Sequence, residues 1–221
     1  MSDFAKYATE TVAGVDYSIN SPAICIIPPT KSNDVIVPFS ECHFYYISKT
    51  RSAIIDEQNI HGHLMGSWDS EEERYECIAE WAISVLNKHK CISVGLEGYA
   101  YGAANQSRLT QLAENCGLLK WHMHKAGIHY NIFSPSNIKK MATSNGRSTK
   151  DQMYDAWLKD TDVCLNSVFG RSPDAKVKSP ISDIVDSYYI ACSQRLDMIQ
   201  TNYQYQEGNK NAKGSIKGNN G

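Results

Sequence analysis

The stretch GVDYSINSPAICI, residues 14–26, places one acidic side chain within a strand-like run of apolar residues. GVDY ends a first strand, SINSP forms a turn, and AICII returns as a second strand, so this stretch predicts a β-hairpin. An aspartate inside a strand is unfavourable. We therefore expect a neighbouring group that uses the carboxylate of Asp16.

The hydrophobic pattern beyond the hairpin continues with both strands and helices. ECHFYYIS, 41–48, has the composition of a third strand, whereas residues 49–69 show no clear period and are predicted to be an irregular insertion. A helix begins at Glu71, because apolar side chains then recur at helical spacing. CISVGLEGY, 91–99, alternates apolar and small residues as a fourth strand does.

The second half of the chain is predicted to hold one more strand and four helices. NQSRLTQLAENCG, 105–117, is a helix that ends at its glycine, and WHMHKAGIHYNIF, 121–133, is a strand. Two short helices follow. The first has Ser136 as its predicted N-cap, and the second begins near Ser148, which stands in capping-box spacing with Asp151.

SDIVDSYYIACSQRLDMI, 182–199, is the last long helix. Beyond about Tyr203 the chain is rich in Gly, Asn and Lys, so 203–221 is predicted to be a flexible polar, basic tail. The order of elements favours an α/β domain over 1–202, with a mixed five-stranded sheet flanked by helices and the insertion at 49–69.

The composition favours a cytoplasmic protein with no membrane partner. Seven cysteines form no CxxC pair, which indicates reduced thiols, and no run approaches the roughly 18 apolar residues of a membrane helix. The opening MSDFAKYATE lacks the regions of a signal peptide. Residues 120–195 carry 11 Lys and Arg against 7 Asp and Glu, which a polyanionic partner or a solvated surface explains equally well.

Four acidic side chains stand on otherwise apolar elements. Asp16 and Glu97 have only glycine and serine beside them on their own strand faces, so space is left next to each carboxylate. Asp183 and Asp186 lie three residues apart in the first turns of a helix and project from one face. Taken singly, each acid has a plainer interpretation: Glu97 as a solvated side chain, and Asp183 as a helix cap.

Convergence of the four acids would have a chemical consequence. Like charges a few ångström apart raise one another's pKa, and a divalent cation removes that cost. Hard oxygen ligands suit Mg²⁺ or Mn²⁺. Two such ions about 3.5–4 Å apart activate a water and stabilise the leaving oxygen of a phosphoryl displacement.

Four stretches in order resemble the RuvC-like Holliday junction resolvases of the RNase H-like superfamily, in the form often found in phages. They are GVDYSINSPAI, VGLEGYAYGAANQSRL, FSPSNIKKMATSNGRSTKDQM and SDIVDSYYIA, and they cover much of residues 12–195. Two positions depart from the family pattern. Ser187 stands where alanine is usual, and Ala100 stands at the place of the stacking aromatic, between Tyr99 and Tyr101.

The resemblance implies a homodimeric endonuclease that resolves branched DNA symmetrically, leaving a 5′-phosphate and a 3′-hydroxyl. Asp16 would bridge two Mg²⁺ ions per active site, which Mn²⁺ could replace, while Glu97 would bind one ion and Asp186 the other. Asp183 would complete the second site or hold its water. No nucleotide cofactor is implied, and the compartment would be the bacterial host's cytoplasm for a phage protein.

Basic residues are the candidates for DNA contacts. In SNGRSTK, Gly146 allows a tight turn before a helix start, and Arg147 and Lys150 add charge. The resemblance matches Lys150 to a lysine of the family. Lys139 and Lys140 are neighbours on a helix, so one of them faces solvent.

Tyr99 and Tyr101 could stack on an unpaired base or belong to the core, and Arg108 could touch the DNA backbone. HGH at 61–63 and HMH at 122–124 have a spacing that zinc sites use, but no third ligand stands at an obvious spacing. Two rival functions remain open: a nuclease for flaps, forks or RNA–DNA hybrids, and a junction-binding protein that does not cleave.

Overall fold

The computed structural model describes residues 10–30, 32, 34–57, 59–98 and 106–216, without the side chains of 106–108 and 202–216. In this part of the chain the strands form one seven-stranded sheet with the order β4-β5-β3-β2-β1-β6-β7. The strands are β1 (Val12–Asp16), β2 (Ala23–Ile27), β3 (His43–Ser48), β4 (Asp56–Glu57), β5 (Ile60–Leu64), β6 (Ser93–Glu97) and β7 (His129–Phe133). The helices are α1 (Glu71–Lys88), α2 (Gln106–Lys125), α3 (Pro135–Thr143), α4 (Lys150–Thr161), α5 (Leu165–Val168) and α6 (Ile181–Ile216).

The predicted hairpin and the mixed α/β sheet are confirmed. β1 pairs antiparallel with β2, and Asp16 lies opposite Ala23 at the hairpin end of the pair. On its other side β1 pairs in parallel with β6, which in turn pairs in parallel with β7. The carboxyl ends of β1 and β6 therefore meet at the same edge of the sheet.

The sheet has seven strands rather than the predicted five, because residues 49–69 are not an irregular insertion. β5 pairs in parallel with β3, and β4 pairs antiparallel with β5 at the sheet edge. Tyr46 fixes this addition: its hydroxyl donates to Ala53 O over 2.7 Å and accepts from Ile55 N over 2.9 Å. Only Ile60 is buried in β5, so the sequence carries little of the alternation that marks a strand.

The helix predicted to end at Gly117 continues to Lys125, so the HMH histidines lie on α2 and not on a strand. A Cβ at Gly117 would meet no atom within 4 Å, and helical backbone is ordinary there. The stop comes at Gly127, whose φ of +69° is the left-handed conformation that glycine adopts freely. The predicted strand is confirmed only from His129 onward.

Both predicted caps of the short helices were wrong by one or two residues. Ser134, not Ser136, caps α3, and its side chain accepts from the backbone N–H of Asn137. Thr149, not Ser148, caps α4, where it forms a capping box with Gln152. α5 was not predicted, and the backbone of α6 continues to Ile216, through much of the segment predicted to be a flexible tail.

Two hydrophobic cores cover the two faces of the sheet. Val12, Cys25 and Phe44 belong to the core shared with helices α3, α4 and α6, whereas Val15 and Ile24 belong to the core shared with α1 and α2. The alternation along each strand separates these two sets. The fold is therefore a sheet between two helical layers, and Asp16 faces the α6 layer. None of the helices described here is both long and apolar enough to span a membrane.

Candidate active site

Helix α6 lies directly on a pair of glycines in the centre of the sheet. Gly14 and Gly95 are register partners on β1 and β6. A Cβ on Gly14 would lie 2.1 Å from the backbone nitrogen of Ala191 and 2.2 Å from the carbonyl oxygen of Ser187. α6 therefore fills the space over the two glycines, whereas the predicted space beside Asp16 remains open on the side of Ser18.

This packing brings the four predicted acids to one place. Asp16 and Glu97 follow the glycines by two residues on the same strand faces, at the carboxyl ends of β1 and β6. The first turns of α6 supply Asp183 and Asp186. All four side chains line one cleft of about 880 Å³.

The acids interact strongly with one another. Burial raises the pKa of Asp16 well above its usual value, and Asp183, Glu97 and Asp186 raise it further. Burial also raises the pKa of Glu97. The pKa of Asp186 is raised to about 7, first by its burial and then by the nearby charge of Glu97. Lys150 lowers all three pKa values without cancelling the rise. A cation among these side chains would offset the repulsion.

The donor set suits a hard divalent cation. Its four members are carboxylates on rigid elements, and carboxylate oxygens are the protein ligands of Mg²⁺ and Mn²⁺. As the side chains stand, no group of three or more acids, histidines or cysteines among the described residues could hold a metal ion. The carboxylate of Asp183 accepts one hydroxyl hydrogen bond on each oxygen, from Ser179 and Ser182, and keeps its remaining lone pairs for a cation.

The predicted basic residues divide around the cleft. Lys150 and Lys139 line it, whereas Lys140 lines a separate groove beside α6. The prediction that these adjacent lysines point different ways is therefore confirmed. Arg147 is exposed and does not line the cleft.

Gly146 lies in the predicted tight turn before α4, which the backbone N–H of Ser148 closes by donating to Asn145 O over 3.3 Å. Its backbone does not need a left-handed conformation; instead, a Cβ there would lie 2.3 Å from the Ser136 hydroxyl. The glycine lets the loop before α4 pack closely on the start of α3. The three remaining DNA-binding candidates are not settled: Tyr99 and Tyr101 lie outside the described residues, as does the side chain of Arg108.

Sequence reasoning missed several polar residues of the cleft region, and three of them contact or face the charged groups. Arg74 and Ser179 line the cleft, and Ser182 accepts a hydrogen bond from the ammonium of Lys150 over 3.1 Å. The two serines flank the proline of KSPISD, directly before Asp183, which was a usable signal. Arg74 lies on α1, far from the four motifs in sequence, and no pattern pointed to it.

The histidine pairs do not form zinc sites within the described residues. His61 on β5 instead contacts Asp56 through Nδ1, at 2.8 Å. His122 and His124 are in the last turns of α2. They lie two residues apart on a helix, so they project from different faces.

No protein-family model matches this chain, and no curated protein sequence matches it. Solved structures do. Thermus thermophilus RuvC in complex with a Holliday junction substrate superposes with a TM-score of 0.58 at 14% identity, covering 86% of this chain and 97% of that one. A second Thermus thermophilus RuvC structure superposes with a TM-score of 0.53 at 14% identity, covering 85% of this chain and 97% of that one. The yeast mitochondrial Holliday junction resolvase Ydc2 superposes with a TM-score of 0.51 at 15% identity, covering 92% of this chain and 87% of that one.

The chain has a RuvC-like fold. This result confirms the fold class expected from the four motifs, an α/β sheet of the RNase H-like type. In the RuvC-like sheet of this protein, Asp16 and Glu97 end two adjacent parallel strands. Ligands of open α/β sheets bind outside the carboxyl ends of the strands, which is where the acidic cleft lies.

Proposed function

We propose that this protein is a metal-dependent, structure-selective DNA endonuclease that resolves four-way junctions. The observation that supports it best is the single cleft in which four acids from β1, β6 and α6 stand beside two lysines. Isolated acids serve as caps or solvated groups, but four like charges held in one buried cleft reduce stability unless a cation binds them. The RuvC-like fold gives the junction resolvase priority over other nucleases.

Each residue of the cleft has a role in this proposal. Asp16 interacts with all three other acids, so it would contact both ions, while Glu97 would hold one ion and Asp186 the other. Bound Mg²⁺ or Mn²⁺ would supply an activated water and stabilise the leaving oxygen. Lys150 and Lys139 would bind the phosphates of the cut strand, and the products would be a 5′-phosphate and a 3′-hydroxyl.

Branched DNA is the proposed partner, bound by a homodimer. The described residues form one cleft that holds the four acids, so symmetric resolution, which cuts two strands, needs a second copy. As the surface that joins the two copies, α2 is favoured over α1. Trp121 on α2 is 56% exposed and Ile132 on the neighbouring edge strand β7 is 54% exposed, whereas no large hydrophobic residue of α1 is exposed. Analytical ultracentrifugation of wild type and Trp121→Asp tests this assignment. We expect the wild type to sediment as a dimer and the variant as a monomer, and equal sedimentation of the two proteins would contradict it.

The function is tested by cleavage of a synthetic four-way junction, a flap, a fork, an RNA–DNA hybrid and a linear duplex, each with Mg²⁺, Mn²⁺ or EDTA. We expect symmetric cuts in the junction that need the metal. Asp16→Asn should abolish cutting and keep junction binding. Preference for the flap or the hybrid would favour the rival nuclease, and tight junction binding without any cut would favour a non-cleaving binder.

A further inference from the structure

Both carboxylate oxygens of Asp183 accept hydrogen bonds from serine hydroxyls. Ser179 donates to Oδ2, and Ser182 donates to Oδ1 over 3.0 Å. Ser179 stands two residues before the first residue of α6, Ile181, and so precedes the N-cap position. The hydrogen bonds of its hydroxyl go to two side chains, Asp183 and Ser21. The two serines are thus arranged around the carboxylate rather than around the helix end.

The serines connect Asp183 to two other elements of the cleft. Lys150 on α4 donates from Nζ to Ser182 Oγ over 3.1 Å. Ser179 Oγ lies 2.7 Å from Ser21 Oγ in the β1–β2 turn. A hydroxyl carries one proton, so when Ser179 donates to Asp183, Ser21 is the donor to Ser179. One continuous chain of hydrogen bonds therefore runs from Lys150 through Asp183 to the turn that follows Asp16.

The arrangement leaves Asp183 able to bind a cation. An ionised carboxylate has about four lone-pair sites, and the two serines occupy one on each oxygen. Asp183 is only 6% exposed, so its orientation is set by these partners and not by water. Hydrogen-bonded partners of metal-binding carboxylates orient them, and their loss typically weakens metal binding about 10–100-fold.

We propose that Ser179 and Ser182 are positioning residues that hold Asp183 as a ligand for the divalent cation, and that Ser182 also places the ammonium of Lys150 beside it. The inference rests on the proposed function for the identity of the cation. It goes beyond that function because it assigns roles to two hydroxyls that do not themselves need to touch metal or DNA.

The test is the affinity of the full chain for Mn²⁺ without DNA, measured by the electron paramagnetic resonance of free Mn²⁺. Ser179→Ala and Ser182→Ala should each weaken binding by about 10–100-fold. Ser193→Ala is the matched control, because Ser193 is buried in the same helix but donates to the backbone oxygen of Tyr189. It should leave Mn²⁺ affinity within about twofold of wild type.

Ser182→Thr keeps the hydroxyl and should restore most of the affinity. Thermal unfolding verifies that every variant is folded. Where an alanine variant is not, the cysteine variant at the same position replaces it, because a thiol is a much weaker donor of similar size. Wild-type affinity in the alanine or cysteine variants would overturn the inference, as would equal losses in Ser193→Ala. If wild type binds Mn²⁺ through these residues but cuts no branched DNA, the proposed function fails while the inference stands. If wild type cuts junctions and the serine variants bind Mn²⁺ normally, only the inference fails.

Discussion

Gly14 on β1 lies directly opposite Gly95 on β6, and the backbone of α6 crosses the sheet over this pair. The helix comes too close to the sheet to leave room for a side chain at Gly14, where a Cβ would lie 2.1 Å from the backbone nitrogen of Ala191. The acids two residues further along each strand consequently face the first turns of the same helix. The missing side chains at these two positions therefore help to assemble the acidic cleft.

Gly14→Ala should destabilise the fold by roughly 3 kcal/mol or more, because overpacking a core against backbone atoms cannot be relieved by side-chain rotation. The added methyl group would lie within 2.2 Å of two backbone atoms of α6. Urea unfolding followed by circular dichroism measures the change. The matched control is Gly117→Ala in α2, where no atom lies within 4 Å of the new Cβ. We expect this control to stabilise by up to about 1 kcal/mol; equal losses in both variants would contradict the packing account.

Asp186→Asn should stabilise the metal-free protein at neutral pH. Burial and Glu97 raise the pKa of Asp186 to about 7 in the folded state, above the usual value of 3.8. The folded state thus binds more protons between these values, so the free energy of unfolding falls as pH rises from about 4 to 7. Removing the charge should recover on the order of 1–3 kcal/mol in EDTA at pH 7.5 and little at pH 4.

The same variant should lose cleavage, because asparagine cannot replace an anionic metal ligand. Differential scanning calorimetry at the two pH values, beside a junction cleavage assay, measures both effects. A lower melting temperature than wild type at pH 7.5 in EDTA would contradict the proposed mutual repulsion of the acids.

Lys139→Ala should weaken junction binding more than Lys140→Ala does. Lys139 lines the acidic cleft, while its neighbour Lys140 lines the groove beside α6, so the pair differs in position but not in charge. Loss of one phosphate contact reduces the slope of log affinity against log salt by about 1. Binding titrations at several salt concentrations measure that slope, and equal slopes for the two variants would exclude the cleft as the DNA path.

His89 should make the protein sensitive to acid. Lys88 donates to the hydroxyl of Tyr45 over 3.1 Å, and this hydroxyl lies 2.8 Å from Nε2 of His89, which is then the acceptor. Burial, His43, Lys88 and His61 together lower the pKa of His89 to about 4. The unfolded state therefore binds more protons between about pH 6.5 and 4, and this contribution to stability is lost as pH falls through that window.

His89→Gln keeps an acceptor without a titrating group. Its stability relative to wild type should rise on acidification, by on the order of 1 kcal/mol because the imidazole is partly exposed. Urea unfolding of both proteins from pH 7.5 to 4 measures the difference between their free energies of unfolding. This difference reports on His89 alone, because the acidic residues titrate alike in the two proteins. A constant difference between the two proteins across this range would refute the assignment.

The sequence predicted those features that a local pattern encodes. Asp16 in an apolar strand, Glu97 on a small-residue face, and the aspartates of SDIVD were all visible, and the structure brings them into one cleft. The hairpin and α1 were predictable because their periods are clear. The separate orientations of Lys139 and Lys140 followed from helix geometry alone.

Other features depend on contacts that are distant in sequence. β5 exists because Ile60 and Tyr46 pack the strand onto β3, and its own residues IHGHL carry little strand signal. Gly117 looked like a helix stop, yet ordinary helical backbone at that position lets α2 continue. The meaning of Gly14 and Gly95 changed for the same reason: the sequence showed that the side chains were small, but not that α6 would occupy the space.

The central claim is that the four acids of this cleft hold divalent cations. A crystal soaked in Mn²⁺ and measured at the manganese absorption edge tests it directly. We expect two anomalous peaks roughly 3.5–4 Å apart, both within bonding distance of Asp16, with Glu97 and Asp186 on opposite sides. A cleft without anomalous density at a saturating Mn²⁺ concentration would contradict the account.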